Sequence, residues 1–172
     1  MTVETIQDPL AEIQIITGDD WAPWFTRAAS EAQESLHLTY YMISPYWRGP
    51  NATAFNLIKV LAAAAQRGLT CRLIIDQPNV AFTTRPFNAR AGEALVRAGW
   101  KVRVMPDKRT LHEKIMIVDK SLSLVGSHNI SKASATSNYD TSLAIRSIPL
   151  AERLHRQFWE RWRLAKTLTV TP

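Results

Sequence analysis

One cysteine, Cys71, stands in 172 residues, so no disulfide closes within the chain and a packed core must hold it. No apolar run approaches the ~20 residues that a helix crossing a bilayer needs. The opening MTVETIQDPL has no basic segment followed by an apolar stretch, so it does not read as a secretion signal. The expected location is the cytoplasm, or the periplasm if a leader has been removed. Internal repeats, low-complexity tracts and linkers are absent as well. Residues 1–172 therefore read as a single domain with 1–10 as a loose lead-in. Acidic residues are the scarcer sign, 15 Asp and Glu against 21 Lys and Arg, giving a net charge of +6 and a pI near 9.8. That balance favours an anionic partner, nucleic acid or an acidic membrane surface. The 46% hydrophobic share is ordinary for a globular chain long enough to bury a core.

Several elements can be read in order. Glu12 to Thr17 alternates like a strand, and a helix follows with Trp21, Trp24, Phe25, Ala28 and Ala32 on one face. Leu36 to Ile43 is a second strand. Ala54 to Gln66 is a helix closed by Gly68, and Leu69 to Asp76 is an apolar strand suited to the middle of a sheet. A helix around Ala89 to Ala98 ends at Gly99, and Trp100 to Met105 returns as a strand. This repeated strand–helix–Gly–strand order predicts parallel βαβ units in an α/β fold with helices on both faces. The remainder reads as a short helix after Ser131, a strand from Tyr139 to Arg146 and a closing helix from Leu150 to Lys166.

The densest chemistry lies in residues 112–129. Lys114 to Val118 and Leu122 to Val125 are β-branched, apolar strands, with Lys120-Ser121 as the break between them. Alternation puts His112, Lys114 and Met116 on one side and Asp119 on the other, where it would tie down the strand end. Hydrolysis of a phosphodiester needs a nucleophile, donors for the phosphate oxygens and an acid for the leaving oxygen. A neutral imidazole can attack phosphorus, and an ammonium two residues away can neutralise charge as it develops. Ser127 and Asn129 add donors from a turn entering the next helix. A carboxylate on the far imidazole nitrogen would fix its tautomer, and Asp140 is the best candidate.

The spacing is His112, one residue, Lys114, four residues, Asp119, six residues, then Gly126-Ser127-x-Asn129. Six fixed positions recur by chance at fewer than about one start in ten million, which sets coincidence aside. The stretch is the HKD signature and resembles the phospholipase D superfamily. The resemblance covers most of residues 11–166 and favours the small nuclease-like branch through Tyr40-Tyr41, Asp76, Phe158 and Trp162. It implies a three-layer α/β/α sandwich around a mixed, largely parallel sheet. It makes His112 the nucleophile that forms a phosphohistidine, with Lys114, Ser127 and Asn129 on the phosphate and Asp140 beside the His. Asp119 and Gly126 become structural support. Members need two such motifs per active site and this chain has one, so the resemblance implies a homodimer with a shared site and a bell-shaped pH–rate profile. A protonated Lys does not ligate, so no metal or other cofactor is expected.

The expected activity is a metal-independent phosphodiesterase on nucleic acid, DNA or RNA, most simply an endonuclease with little sequence preference. A lipid phosphodiesterase and a non-catalytic nucleic-acid-binding module are the alternatives, and a membrane is not the expected partner. His128, the variable position in Gly-Ser-x-Asn, is a candidate pocket residue. His37 and His155 read as packing or surface residues. Tyr46, Trp47 and Arg48 in the loop 44–53, and Phe82, Arg85, Phe87 and Arg90 in or beside the loop 77–86, are candidates for base stacking, with loop packing or dimer contact as the alternative.

Overall fold

The computed structural model describes residues 3–44, 53–76, 85–106 and 109–170, with side chains for all of these except 53–56 and 85. Tyr46, Trp47, Arg48, Phe82 and the side chain of Arg85 lie outside the described residues. In chain order the elements are β1 (Glu12–Thr17), a 3-10 turn at Gly18–Asp20, α1 (Trp21–Glu31), β2 (Ser35–Tyr40), α2 (Thr53–Gln66), β3 (Thr70–Asp76) and α3 (Arg85–Arg97). There follow β4 (Lys101–Met105), β5 (Lys114–Val118), β6 (Leu122–Gly126), α4 (Lys132–Thr136), β7 (Thr141–Arg146), α5 (Ile148–Leu164) and β8 (Lys166–Thr167). Gly68 and Gly99, at φ of +87° and +100°, end α2 and α3 in the left-handed conformation that costs glycine least.

All the strands join one mixed sheet in the order β1-β7-β6-β5-β2-β3-β4-β8. β1, β2, β3, β4 and β6 run one way and β5, β7 and β8 the other, yet only β2–β3 and β3–β4 are adjacent parallel pairs. Parallel pairing is thus narrower than the repeated βαβ pattern implies, because β5, β7 and β8 each run antiparallel to their neighbours. The helices do lie on both faces. α1 to α4 share one core with Phe25, Leu38, Leu61, Leu95 and Met116. α5 covers the other face through Ala151, Phe158 and Trp162, packed on Ile74, Ile115 and Ile117. Each fully buried side chain of that size contributes about 1.5–3 kcal/mol, so the two cores set the three-layer arrangement.

Three local expectations are corrected. The hairpin turn between β5 and β6 is Asp119-Lys120, not Lys120-Ser121: both have positive φ (48° and 52°) and Ser121 N–H closes on the Val118 carbonyl at 3.0 Å. Positive φ at both central residues is the turn whose twist matches the flanking strands. The closing helix stops at Leu164, and Lys166–Thr167 pairs with β4 as an edge strand. The described part of the lead-in, residues 3–10, is not loose, since Ser147 Oγ donates to Asp8 Oδ2 at 2.6 Å and Glu4 pairs with Arg153 and Arg156. Among the described residues no helix is long and apolar enough to cross a membrane.

Candidate active site

The sheet topology brings the motif residues to one edge. Tyr40 at the end of β2 lies opposite Lys114 at the start of β5, Val125 opposite Ile115, and Gly126 at the end of β6 opposite Ser142 near the start of β7. Asp76 ends β3 at the same edge, since Ile75 pairs with Tyr40. The carboxyl ends of β2 and β3 therefore border the site, as is usual for ligand sites in open α/β sheets.

His112 lies before β5 rather than in it. The ladder runs one rung further, Tyr41 N–H donating to the Glu113 carbonyl at 2.9 Å, and His112 then emerges exposed. Leu111, buried behind it, donates its N–H to Asp76 Oδ1 at 2.9 Å, which fixes the backbone that presents the imidazole. Lys114 is the opposite case, only 6% exposed. Its Nζ donates to the His112 carbonyl at 2.9 Å and sits 4.9 Å from the centre of the Tyr41 ring, which in turn lies 4.7 Å from the imidazole. Burial draws the Lys114 ammonium below the ordinary lysine range, and the Asp140 carboxylate opposes that shift.

The second half of the motif is held by close approach and turn chemistry. A Cβ on Gly126 would fall 2.2 Å from Ser142 Oγ and 2.4 Å from the Thr141 carbonyl oxygen, so only glycine lets β7 pass. Ser127 is exposed; its Oγ donates to Asp140 Oδ1 at 2.6 Å and accepts from Thr141 N–H at 3.1 Å. Asn129 is held by its N–H on Ser134 Oγ at 3.0 Å, and its buried Oδ1 has no hydrogen-bond partner among the described residues. Beyond it, Ile130 bridges to Ile43, which joins this turn to the chain leaving β2. The following helix, α4, has five residues, so its dipole adds little to anion binding here.

Asp140 is engaged by neighbours other than His112. Its carboxylate accepts from Ser127 and, at 3.3 Å, from Asn138 Nδ2, and among the described residues no hydrogen bond joins it to the imidazole. Partial burial pushes Asp140 up, but hydrogen bonds from Ser127, Ser134 and Asn138 outweigh it and hold the carboxyl below its ordinary range. It stays ionised near Lys114 and His128. His128 is 1% exposed, stacks on Trp21 with centroids 5.1 Å apart, and meets Ser142 Oγ through Nδ1 at 2.8 Å. Such a ring supports the turn from behind and does not line an open pocket. Asp119 accepts the backbone N–H groups of Gln33, Glu34 and Ser35 at 2.8, 2.9 and 2.8 Å, tying the hairpin to the start of β2.

Sequence reasoning missed three contributors. Tyr41 touches both His112 and Lys114 from the end of β2. Asn88 on α3 donates to the Tyr41 and Asp76 carbonyls, each at 2.8 Å, and accepts from Ile43 N–H at 2.8 Å, so it locks the ends of β2 and β3 together. Asp76 positions Leu111. The one signal in the sequence was the placement of Tyr41 and Asp76 at strand ends. None marked Asn88, which reads as an ordinary helix residue.

With this geometry in place, comparison with known proteins identifies the family. The sequence profile described as "Cardiolipin synthase, PLD-like domain" matches residues 25–162. Cardiolipin synthase of Listeria welshimeri is 30% identical over 135 residues, which are 78% of this chain and 26% of that protein. Cardiolipin synthase A of Shigella flexneri is 31% identical over 123 residues, 69% of this chain and 24% of that protein. The chain thus spans about a quarter of the length of these relatives. Among solved structures, the phospholipase D family member Nuc of Salmonella typhimurium superposes with a TM-score of 0.74 at 23% identity, covering 91% of this chain and 98% of Nuc. NucT of Helicobacter pylori follows with 0.72 at 14% identity, covering 91% and 99%. The profile spans the strands, the turn and the closing helix that assemble His112, Lys114, Ser127 and Asn129, and on that ground the chain belongs to the phospholipase D superfamily.

Proposed function

We propose that this chain is a metal-independent phosphodiesterase that hydrolyses nucleic acid through a covalent phosphohistidine, in a site shared by two copies. The reading is carried by one observation: an exposed imidazole, His112, and a buried ammonium, Lys114, meet on one tyrosine ring at the sheet edge that also holds Ser127 and Asn129. Neutral His112 attacks phosphorus and the leaving oxygen departs. Lys114, Ser127 and Asn129 meet the non-bridging oxygens as charge accumulates there. The Ser127 hydroxyl donates its one proton to Asp140 in a hydrogen bond. In this proposal it turns that proton from the carboxylate to a phosphate oxygen when substrate binds, and Asp140 acts through that exchange and through its field on Lys114.

The leaving oxygen needs a proton, and the attacking imidazole cannot supply one. The motif occurs once here, so the acid in this proposal is His112 of a second copy, which afterwards activates water against the phosphohistidine. An apolar surface supports such docking. On the α5 side of the sheet, α5 packs over β4, β2, β5 and β6. It leaves Ile13 and Ile15 of β1 61% and 74% exposed beside Ile145 and Leu143 of β7.

The net charge of +6 suits a polyanionic substrate, which nucleic acid supplies and an acidic lipid surface supplies as well, so the assay decides the nucleic-acid reading. Cleavage of single- and double-stranded DNA and RNA in EDTA tests it: wild type should cut, and His112→Ala should lose at least about a thousandfold in rate. Intact nucleic acid with wild type, or equal cleavage by the variant, would remove the proposal. The second reading, a lipid phosphodiester, is favoured by the identity to cardiolipin synthases. Headgroup release from phosphatidylglycerol vesicles without nucleic-acid cleavage would replace the first reading with it.

A further inference from the structure

A pocket of about 300 Å³ opens beside His112, away from the Ser127–Asn129 turn. Three stretches make it: the end of β4 at Met105, the approach to β5 with Arg109, Leu111 and Glu113, and the last turns of α5 with Arg161 and Leu164. Leu111 is fixed there by burial and by its bond to Asp76. Met105, Leu111 and Leu164 form an apolar wall, the charged groups of the lining are two guanidiniums and one carboxylate, and His112 itself borders the pocket. The carboxylate is already engaged, since Glu113 Oε1 accepts from Gln157 Nε2 at 3.2 Å and Arg161 Nε at 3.3 Å. That pair uses one of the five N–H donors of the Arg161 fork, and it holds the fork in place. Arg109 is exposed at the rim. The pocket therefore carries an excess of cationic donors and shares its catalytic neighbour with the phosphate site.

We propose that this pocket is a second phosphate subsite, in which Arg109 and Arg161 hold a phosphodiester flanking the one attacked by His112 along a polynucleotide. The assignment rests on the nucleic-acid reading above. Guanidiniums suit phosphate oxygens through paired, charge-assisted hydrogen bonds. The apolar wall suits the face of an intervening sugar or base. A glycerophospholipid with one phosphodiester would meet the wall and leave both guanidiniums unused.

The test compares kcat/KM, in EDTA, for a thymidine decanucleotide, for bis(p-nitrophenyl) phosphate and for phosphatidylglycerol vesicles. The decanucleotide has flanking phosphates and the small diester has none. In Arg109→Gln/Arg161→Gln the ratio of decanucleotide to small-diester kcat/KM should fall at least about tenfold, and the salt dependence of decanucleotide turnover should become shallower. Should the double variant fail to fold, exposed Arg109→Gln alone should lower the ratio about threefold. A ratio unchanged in the folded variant, or equal losses on both substrates, overturns the subsite while leaving the nucleic-acid reading intact. Wild type that turns over the small diester or the vesicles but not the decanucleotide overturns that reading and the subsite with it.

Discussion

At the scale of single residues, the site separates a reactive group in solvent from a charged group in the core. Lys114 is 6% exposed and its ammonium is held between the His112 carbonyl and the Tyr41 ring. In the proposed reaction its charge acts on the non-bridging oxygens of the phosphorus that the imidazole attacks. Lys114→Met should therefore lower kcat by roughly 10²–10³ with a smaller change in KM, because the charge matters most when the oxygens carry most negative charge. Lys114→Arg should not restore it, since a planar fork does not fit a slot shaped for one ammonium. Steady-state kinetics decide this, and a pure KM effect would mean that Lys114 only binds. Asp119 has the contrasting role. Three backbone N–H groups at the start of β2 depend on its carboxylate. Asp119→Ala should cost about 2 kcal/mol in denaturant unfolding, with Gln33 and Glu34 exposed enough for water to replace part of the loss. A cost below about 0.5 kcal/mol would contradict that role.

At the scale of elements, the seam between α5 and the sheet carries two imidazoles. His37 of β2 lies 4.8 Å from the His155 ring and 4.9 Å from the Phe158 ring, with Arg72 Nη1 3.2 Å from its Nε2. Trp159 Nε1 donates to His155 Nε2 at 3.1 Å. Burial, then the charges of His155, Arg72 and Lys120, pull His37 down to about 3, and burial lowers His155 as well. In the unfolded chain an imidazole takes its proton near pH 6.5, at roughly the ordinary value. Between that pH and about 3 the unfolded state binds more protons at His37, so stability rises with pH. It is fully present above pH ~6.5 and is lost on acidification at up to about 1.4 kcal/mol per pH unit for each such group. The thermal midpoint should fall between pH 7.5 and 5, and His37→Gln, which keeps an acceptor for Arg72, should flatten that slope. An equal slope in the variant would place the effect elsewhere. The seam also marks what the sequence made legible. Phe158 and Trp162 announced the inner face of α5 by their spacing, and Lys114–Val118 announced β5 by its β-branched run. β8 was not legible, because two residues at a sheet edge pair through backbone alone. The Asp119-Lys120 turn lacks the Asn-Gly or Asp-Gly that marks such turns. The sequence offered Asp140 as a candidate but gave no sign of its bond to Ser127, and the ties from Tyr41, Asp76 and Asn88 join positions 12 to 73 residues apart, which local patterns do not encode.

At the scale of the whole molecule, the sheet gathers the motif at one edge and leaves β1 and β7 with an uncovered apolar face. The chemistry proposed there needs two imidazoles in opposite protonation states on one phosphorus, and each chain contributes one. A pair of chains should therefore trap one covalent nucleotide at a time. Rapid alkaline quench of a single turnover with an end-labelled oligonucleotide, followed by intact mass and peptide mapping, measures this directly. A shared site should give a dimer in sedimentation and an adduct at His112 that saturates at about one per two chains. An active monomer, an adduct on every chain, or turnover with no adduct at His112 would contradict it.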